Sequence, residues 1–126
     1  MMTGYVLVVD DSPDVQQLVL DVLSSYGILG QKAGDGQEAL NIIAEDRPMA
    51  IILDLMMPIM DGFTTLTHLQ TDPKNRHIPI ILLSALVGTD PSLYKLPGVV
   101  GVMQKGDFSI EGFRYLLAQA GVMTVH

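Results

Sequence analysis

The sequence predicts an α/β fold: one parallel sheet of five strands with helices on both faces. Three observations predict it. Short apolar runs occur five times, at 5–9, 29–33, 50–53, 80–83 and 99–103. Helical or turn-rich segments separate them, and regular strand–helix alternation is the pattern of a parallel sheet with crossover helices. The chain has 126 residues and is 48% hydrophobic, enough for the core of one ordinary domain.

The first, third and fourth runs are nearly continuous in aliphatic and β-branched residues, as strands buried on both faces read. Between the first two, Val15, Leu18, Val19, Val22, Leu23 and Tyr26 repeat at helical spacing and predict one apolar face. Ser12 suits the N-cap, Pro13 the first helical position, and Gly27 the stop. A second helix starts at Asp35, with Glu38 as its capping-box partner, and buries Ala39, Leu40 and Ile43. A third, about 61–71, turns Phe63, Leu66 and Leu69 inward. The fourth interval, 86–98, holds Gly88, Pro91 and Pro97, so only a turn or two of helix fits, near 92–95. The last helix, 110–120, buries Ile110, Phe113, Leu117 and Ala120. The expected topology is doubly wound and flavodoxin-like, in strand order 2-1-3-4-5, with a short or irregular fourth helix.

Composition narrows the functional classes. A formal charge of −7 and a pI near 4.5 disfavour nucleic acid and anionic membrane surfaces. The absence of cysteine excludes disulfides, thiolate metal sites and a catalytic thiol. No signal peptide is recognisable at the amino terminus, and no apolar stretch approaches the roughly 20 residues of a membrane helix. A cytoplasmic location is expected.

Ligands of doubly wound sheets bind beyond the carboxyl ends of the strands, where the strand order reverses. Here that point falls between strands 1 and 3, which end in Asp10, Asp11 and Asp54. Neighbouring strands lie about 4.8 Å apart, so three carboxylates converge. Two such charges about 4 Å apart repel by about 4 kcal/mol at an effective dielectric near 20, so the cluster needs a proton or a cation. With hard oxygen ligands and no Cys or His nearby, Mg²⁺ is the natural occupant. Strand 4 ends in Ser84 and strand 5 in Lys105. Acids, a metal, a hydroxyl and an ammonium together suit a phosphoryl group. Taken singly, each residue has an ordinary explanation: an Asp as a turn or cap residue, a solvated Lys, a Ser bonding locally. The complementary set at one sheet edge favours function.

At these residues the chain resembles a bacterial two-component response-regulator receiver domain, from about residue 5 to residue 120. The resemblance rests on VLVVDDSPD with Asp10 and Asp11, LDLMMPIMDG with Asp54, IPIILLSA with Ser84, and Lys105 after strand 5. It implies one receiver domain over 1–126 in a phosphorelay, with Asp54 as the acceptor of a phosphoryl group from a histidine kinase or histidine phosphotransfer protein. Asp11, Asp54 and the Met56 backbone carbonyl would bind Mg²⁺, with Asp10 assisting through water, while Ser84 and Lys105 would contact the phosphoryl group. Pro58 and Gly62 would shape the loop after the acceptor, and Asp61 would cap the next helix. The donor would dock near the first helix. Phosphorylation would then switch the face formed by strand 5 and its two flanking helical segments toward a downstream effector. Such a domain catalyses only its own phosphorylation and dephosphorylation.

Two positions depart from the family pattern. Gly106 follows Lys105 where proline is usual, and Val102 stands where an aromatic residue is frequent. These departures bear on the usual aromatic–hydroxyl coupling and predict an unusual output surface over 86–106. They also motivate an alternative, a divergent receiver acting as a phosphorylation-independent interaction module. Leu86 and Met56 border the route for hydrolytic water, and their apolar character predicts slow hydrolysis.

Other motifs have simpler explanations. Gly34 to Ala39 fits G-x-G-x-x-A but follows strand 2, and a helix cap accounts for its residues. Leu55 and Met56 after Asp54 do not make the D-x-D of haloacid-dehalogenase-type phosphotransferases. His68, His77 and His126 lack metal-ligand spacing. The methionines are mostly core filler, with Met56, Met57 and Met60 flanking the site.

Overall fold

The computed structural model describes residues 4–85, Ser84 by its backbone alone, and 91–123. The Ser84 side chain, Leu86, Gly88 and His126 therefore lie outside the described residues. The strands are β1 (Tyr5–Val9), β2 (Leu29–Ala33), β3 (Ala50–Leu53), β4 (Ile80–Ser84) and β5 (Val99–Gln104), all parallel in the order β2-β1-β3-β4-β5. The helices are α1 (Pro13–Ser25), α2 (Gly36–Glu45), α3 (Gly62–Thr71) and α4 (Ile110–Gln119). The fold is the flavodoxin-like one read from the alternation.

Alternate strand residues enter two cores, one on each side of the sheet. Leu7, Val9, Ile51, Leu53, Ile80 and Leu82 share one with Ala39 and Ile43 of α2 and Leu66 and Leu69 of α3. Val6, Val8, Ile52, Ile81 and Leu83 share the other with Val19 and Leu23 of α1 and Phe113 and Leu117 of α4. Every residue of β1 and β3 is buried, whereas β2, an edge strand, is exposed along most of its length. That difference explains why only the inner strands read as unbroken apolar runs.

Helix ends follow local chemistry. Ser12, Asp35, Asp61 and Ser109 each accept a backbone N–H of the first turn of α1, α2, α3 and α4. Gly27 takes φ +74° just beyond α1, a conformation that strains any residue with a Cβ. At α2 the capping bond is displaced: Glu38 Oε1 accepts from the Gly34 N–H at 2.6 Å, one residue before the cap itself. The Ser109 hydroxyl accepts from the Gly112 N–H at 3.1 Å. Ser109→Ala is expected to cost about 1 kcal/mol by leaving that donor unpaired, read as a lowered urea midpoint at unchanged slope.

Three inward assignments are corrected. Phe63 is 44% exposed and Ile110 58% exposed. Both sit in the first turn of a helix, which overhangs the carboxyl edge of the sheet and meets solvent. Leu18, 47% exposed, lies on the flank of the α1 stripe, and the polar Gln16 is buried in its place. In the last helix Leu116 is buried as well as Phe113 and Leu117, and Ala120 is only partly so. The fourth interval carries a short 3-10 helix over Pro91–Lys95, where the prolines allow no longer one among the described residues. No helix among them is long and apolar enough to cross a membrane.

Candidate functional site

The order β2-β1-β3 places the reversal point between β1 and β3, and the acids gather there. Val9 pairs with Leu53, so Asp10 and Asp54, each one residue further, leave the sheet side by side. The Asp54 N–H donates to Val9 O at 2.9 Å and the Asp10 N–H to Ala33 O at 3.0 Å. Both side chains are buried, each residue being 2% exposed. Asp11, exposed, completes a trio in which one carboxylate oxygen from each residue lies within 4.8 Å of the other two.

Lys105 stands one residue past β5 and reaches back across the β4 position. Its Nζ lies 2.8 Å from Asp10 Oδ2 and 3.2 Å from Asp54 Oδ2. Sequence reasoning brought the lysine to the pocket but did not foresee Asp10 as its nearer partner. The other oxygens are held by backbone donors: Asp10 Oδ1 accepts from the Ser12 N–H at 2.9 Å, and Asp54 Oδ1 from the Met56 N–H at 3.3 Å.

These contacts set the protonation balance. Burial, and next the charge of Asp10, push the Asp54 carboxyl above its ordinary range, against the opposing pull of the Met56 N–H and Lys105. Burial works against the charge of Lys105, but Asp10 and Asp54 outweigh it and hold the ammonium pKa above its usual value. When all are ionised, three carboxylates face one ammonium and two negative charges remain. That excess, on hard oxygen donors with no thiolate or imidazole among them, fits a small divalent cation.

The loop after Asp54 is fixed from several sides. The Gly62 N–H donates to Leu55 O at 3.0 Å, and the Gly36 N–H, from the start of α2, to Met60 O at 3.1 Å. A Cβ on Gly36 would lie 1.9 Å from Thr65 Oγ1 and 2.8 Å from Met60 O, so α2 seats against this loop only because that residue has no side chain. Asp61 caps α3 through the Thr64 N–H at 2.8 Å, which lowers the Asp61 pKa. Ile59 adopts φ 67° inside a tight turn closed by the Met60 N–H on Pro58 O at 2.7 Å, and its side chain is 85% exposed. With Met56, also exposed, and Met57 and Met60, partly buried, it makes an apolar rim.

The sequence reading missed one residue near the site. Gln16 Nε2 donates to Asp10 O at 2.6 Å and to Ala33 O at 3.3 Å. Its only sequence signal was a polar residue beside the buried stripe of α1, a place where glutamine is easily taken for a solvated side chain.

Comparison with known proteins assigns this arrangement to a class. Residues 6–104 match the response regulator receiver domain, and the chain belongs to that family of two-component signalling domains. It is 44% identical over 87 residues to the response regulator PleD of Caulobacter vibrioides, a match covering 69% of this chain and 19% of PleD. Among solved structures it resembles the chemotaxis protein CheY4 of Vibrio cholerae, at a TM-score of 0.84 and 29% identity, over 94% of this chain and 99% of that one. It also resembles the receiver domain of a sensor histidine kinase from Pseudomonas aeruginosa, solved with a magnesium ion coordinated in its active site cleft. That match has a TM-score of 0.80 and 26% identity, over 94% of this chain and 99% of the other.

Proposed function

We propose that residues 1–126 act as one receiver domain, folded around 5–120, that accepts a phosphoryl group on Asp54 and serves as a switch. The observation that carries this reading is the seating of a buried Asp54 between two further carboxylates and the Lys105 ammonium. An Asp54 oxygen bonds to the phosphorus of a phosphohistidine, the P–N bond breaks, and the imidazole nitrogen leaves with the bonding pair. The donor is a histidine kinase or histidine phosphotransfer protein docking near α1, and the setting is the cytoplasm.

Asp11, Asp54 and the Met56 backbone carbonyl would hold Mg²⁺, with Asp10 assisting, and the magnesium in the Pseudomonas receiver's cleft supports that assignment. When bound, the ion neutralises charge on the carboxylates and on the incoming phosphoryl oxygens. Lys105 moves from its carboxylate partners to a phosphoryl oxygen, keeping its charge paired throughout. Ser84, whose backbone ends β4 beside β3, donates to another phosphoryl oxygen. The loops carrying these two groups then shift the population of the face built from β5, the Pro91–Lys95 turn and α4, where an effector docks. Leu93 and Val102 share one buried cluster, so aliphatic packing rather than a swinging aromatic couples that face to the site.

Acetyl phosphate with Mg²⁺ should transfer one phosphoryl group per chain, read by intact mass, and EDTA should abolish the transfer. No uptake by the native protein, or repeated turnover on a phosphoester, would defeat the proposal.

A further inference from the structure

The assignment of Mg²⁺ to Asp11 leaves open what aims that exposed side chain. The peptide between Asp10 and Asp11 is the last piece of backbone before it. The Asp10 N–H bonds to Ala33 O, but β1 ends at Val9, so the Asp10 carbonyl has no partner in the strand ladder. A buried carbonyl without a donor is costly. Gln16 supplies the donor from α1, at 2.6 Å, and the same amide reaches Ala33 O at 3.3 Å. Both acceptors are carbonyl oxygens, so the amide nitrogen, not its oxygen, must face them. Gln16 is 8% exposed, and its two hydrogen bonds tie α1 to the backbone at the ends of β1 and β2.

We infer that Gln16 is a positioning residue for cation binding: its carboxamide clamps the Asp10–Asp11 peptide plane and thereby aims Asp11 into the acidic pocket. The inference rests on the proposed Mg²⁺ site. Chemistry favours a neutral donor here. A cationic side chain would satisfy the same carbonyls but add positive charge beside the carboxylates and oppose a divalent ion. The carboxamide orients the backbone while leaving the excess negative charge in place.

The test is calorimetric titration with Mg²⁺ alone, alongside melting in EDTA. Gln16→Met keeps length and volume and removes the donor. It should weaken Mg²⁺ binding about 10-fold or more, the low end of the range expected when an outer support of a metal ligand is lost. In acetyl phosphate labelling the Mg²⁺ concentration for half-maximal rate should rise by the same factor, with the rate at saturating Mg²⁺ within about twofold of native. A purely structural glutamine would lower the melting temperature and leave the Mg²⁺ affinity unchanged, and that result overturns the inference. Gln16→Asn, too short to reach either carbonyl but still polar, should show the same loss and keeps the test decisive if the methionine variant does not fold. Native protein that binds no Mg²⁺ would overturn the proposed function and this inference together. Native binding matched by both variants would overturn the inference alone.

Discussion

Asp54→Asn is expected to lose all Mg²⁺-dependent phosphoryl uptake and yet, in EDTA at pH 7, to melt higher than the native protein. The first effect follows from chemistry: a carboxamide has no ionised oxygen to attack phosphorus. The second follows from linkage. The Asp54 carboxyl is held above its ordinary range by burial and then by the Asp10 charge, so it ionises more easily in the unfolded chain than in the folded one. Below the ordinary carboxylate pKa both states are protonated and nothing is lost. As pH rises from there through the folded pKa, the native protein gives up stability to keep Asp54 ionised, while the asparagine variant does not. The gap between the two should therefore be widest at neutral pH and close in acid. Mg²⁺ should narrow it from the other side, because an ion that binds the folded carboxylates stabilises the native protein more than the variant. Thermal melts across pH, with EDTA and with Mg²⁺, check both signs. An asparagine variant that is less stable than native in EDTA at pH 7 would mean that the Lys105 pairing outweighs the burial.

The same tension shows why the site was legible in the sequence. Buried acids cannot be placed by apolar periodicity, but the topology rule for doubly wound sheets needs only strand ends. Strand ends were readable because β1, β3 and β4, up to its final Ser84, are apolar and stop abruptly. Asp10, Asp11, Asp54 and Lys105 were therefore brought together without any knowledge of their contacts. What the sequence could not carry was orientation. Phe63 and Ile110 fit the helical period as well as Leu66 and Phe113 do, and only the overhang of the first turn separates them. Gln16 was hidden for the opposite reason: a polar side chain reads as solvated until the carbonyl it satisfies is known.

The departure at position 102 has a packing basis. Val102 is 9% exposed and belongs to the cluster that includes Leu82 and Leu93, while its neighbour Gly101 would bring a Cβ to within 2.3 Å of Leu116 Cδ2. β5 therefore presents a small side chain to the core on one face and bare backbone to α4 on the other. Lys105, just past this strand, has a small aliphatic residue rather than an aromatic one three positions before it, at Val102. Phe108, three residues past Lys105, has its ring centroid 5.5 Å from that of Phe113 in α4.

Gly62→Ala is expected to damage stability and site together. A Cβ there would stand 2.2 Å from the carbonyl oxygen of Asp54 and 2.6 Å from the Leu55 Cα. Both are backbone atoms, so no side-chain rotation relieves the overlap. Either α3 backs away, breaking the bond from the Gly62 N–H to Leu55 O, or the end of β3 is displaced and Asp54 with it. Overpacking at a rigid contact, with a backbone hydrogen bond lost, is worth about 3 kcal/mol. Phosphoryl uptake should fall sharply even at temperatures where the variant stays folded, because Asp54 and the Met56 amide that orients it are part of the displaced segment. Gly106→Ala is the matched control: no heavy atom lies within 4 Å of its Cβ position, and denaturation midpoint and labelling should both stay close to native. If Gly62→Ala instead unfolds within about 0.5 kcal/mol of native, the close approach of α3 to the end of β3 does not constrain this position or require a glycine after Asp61.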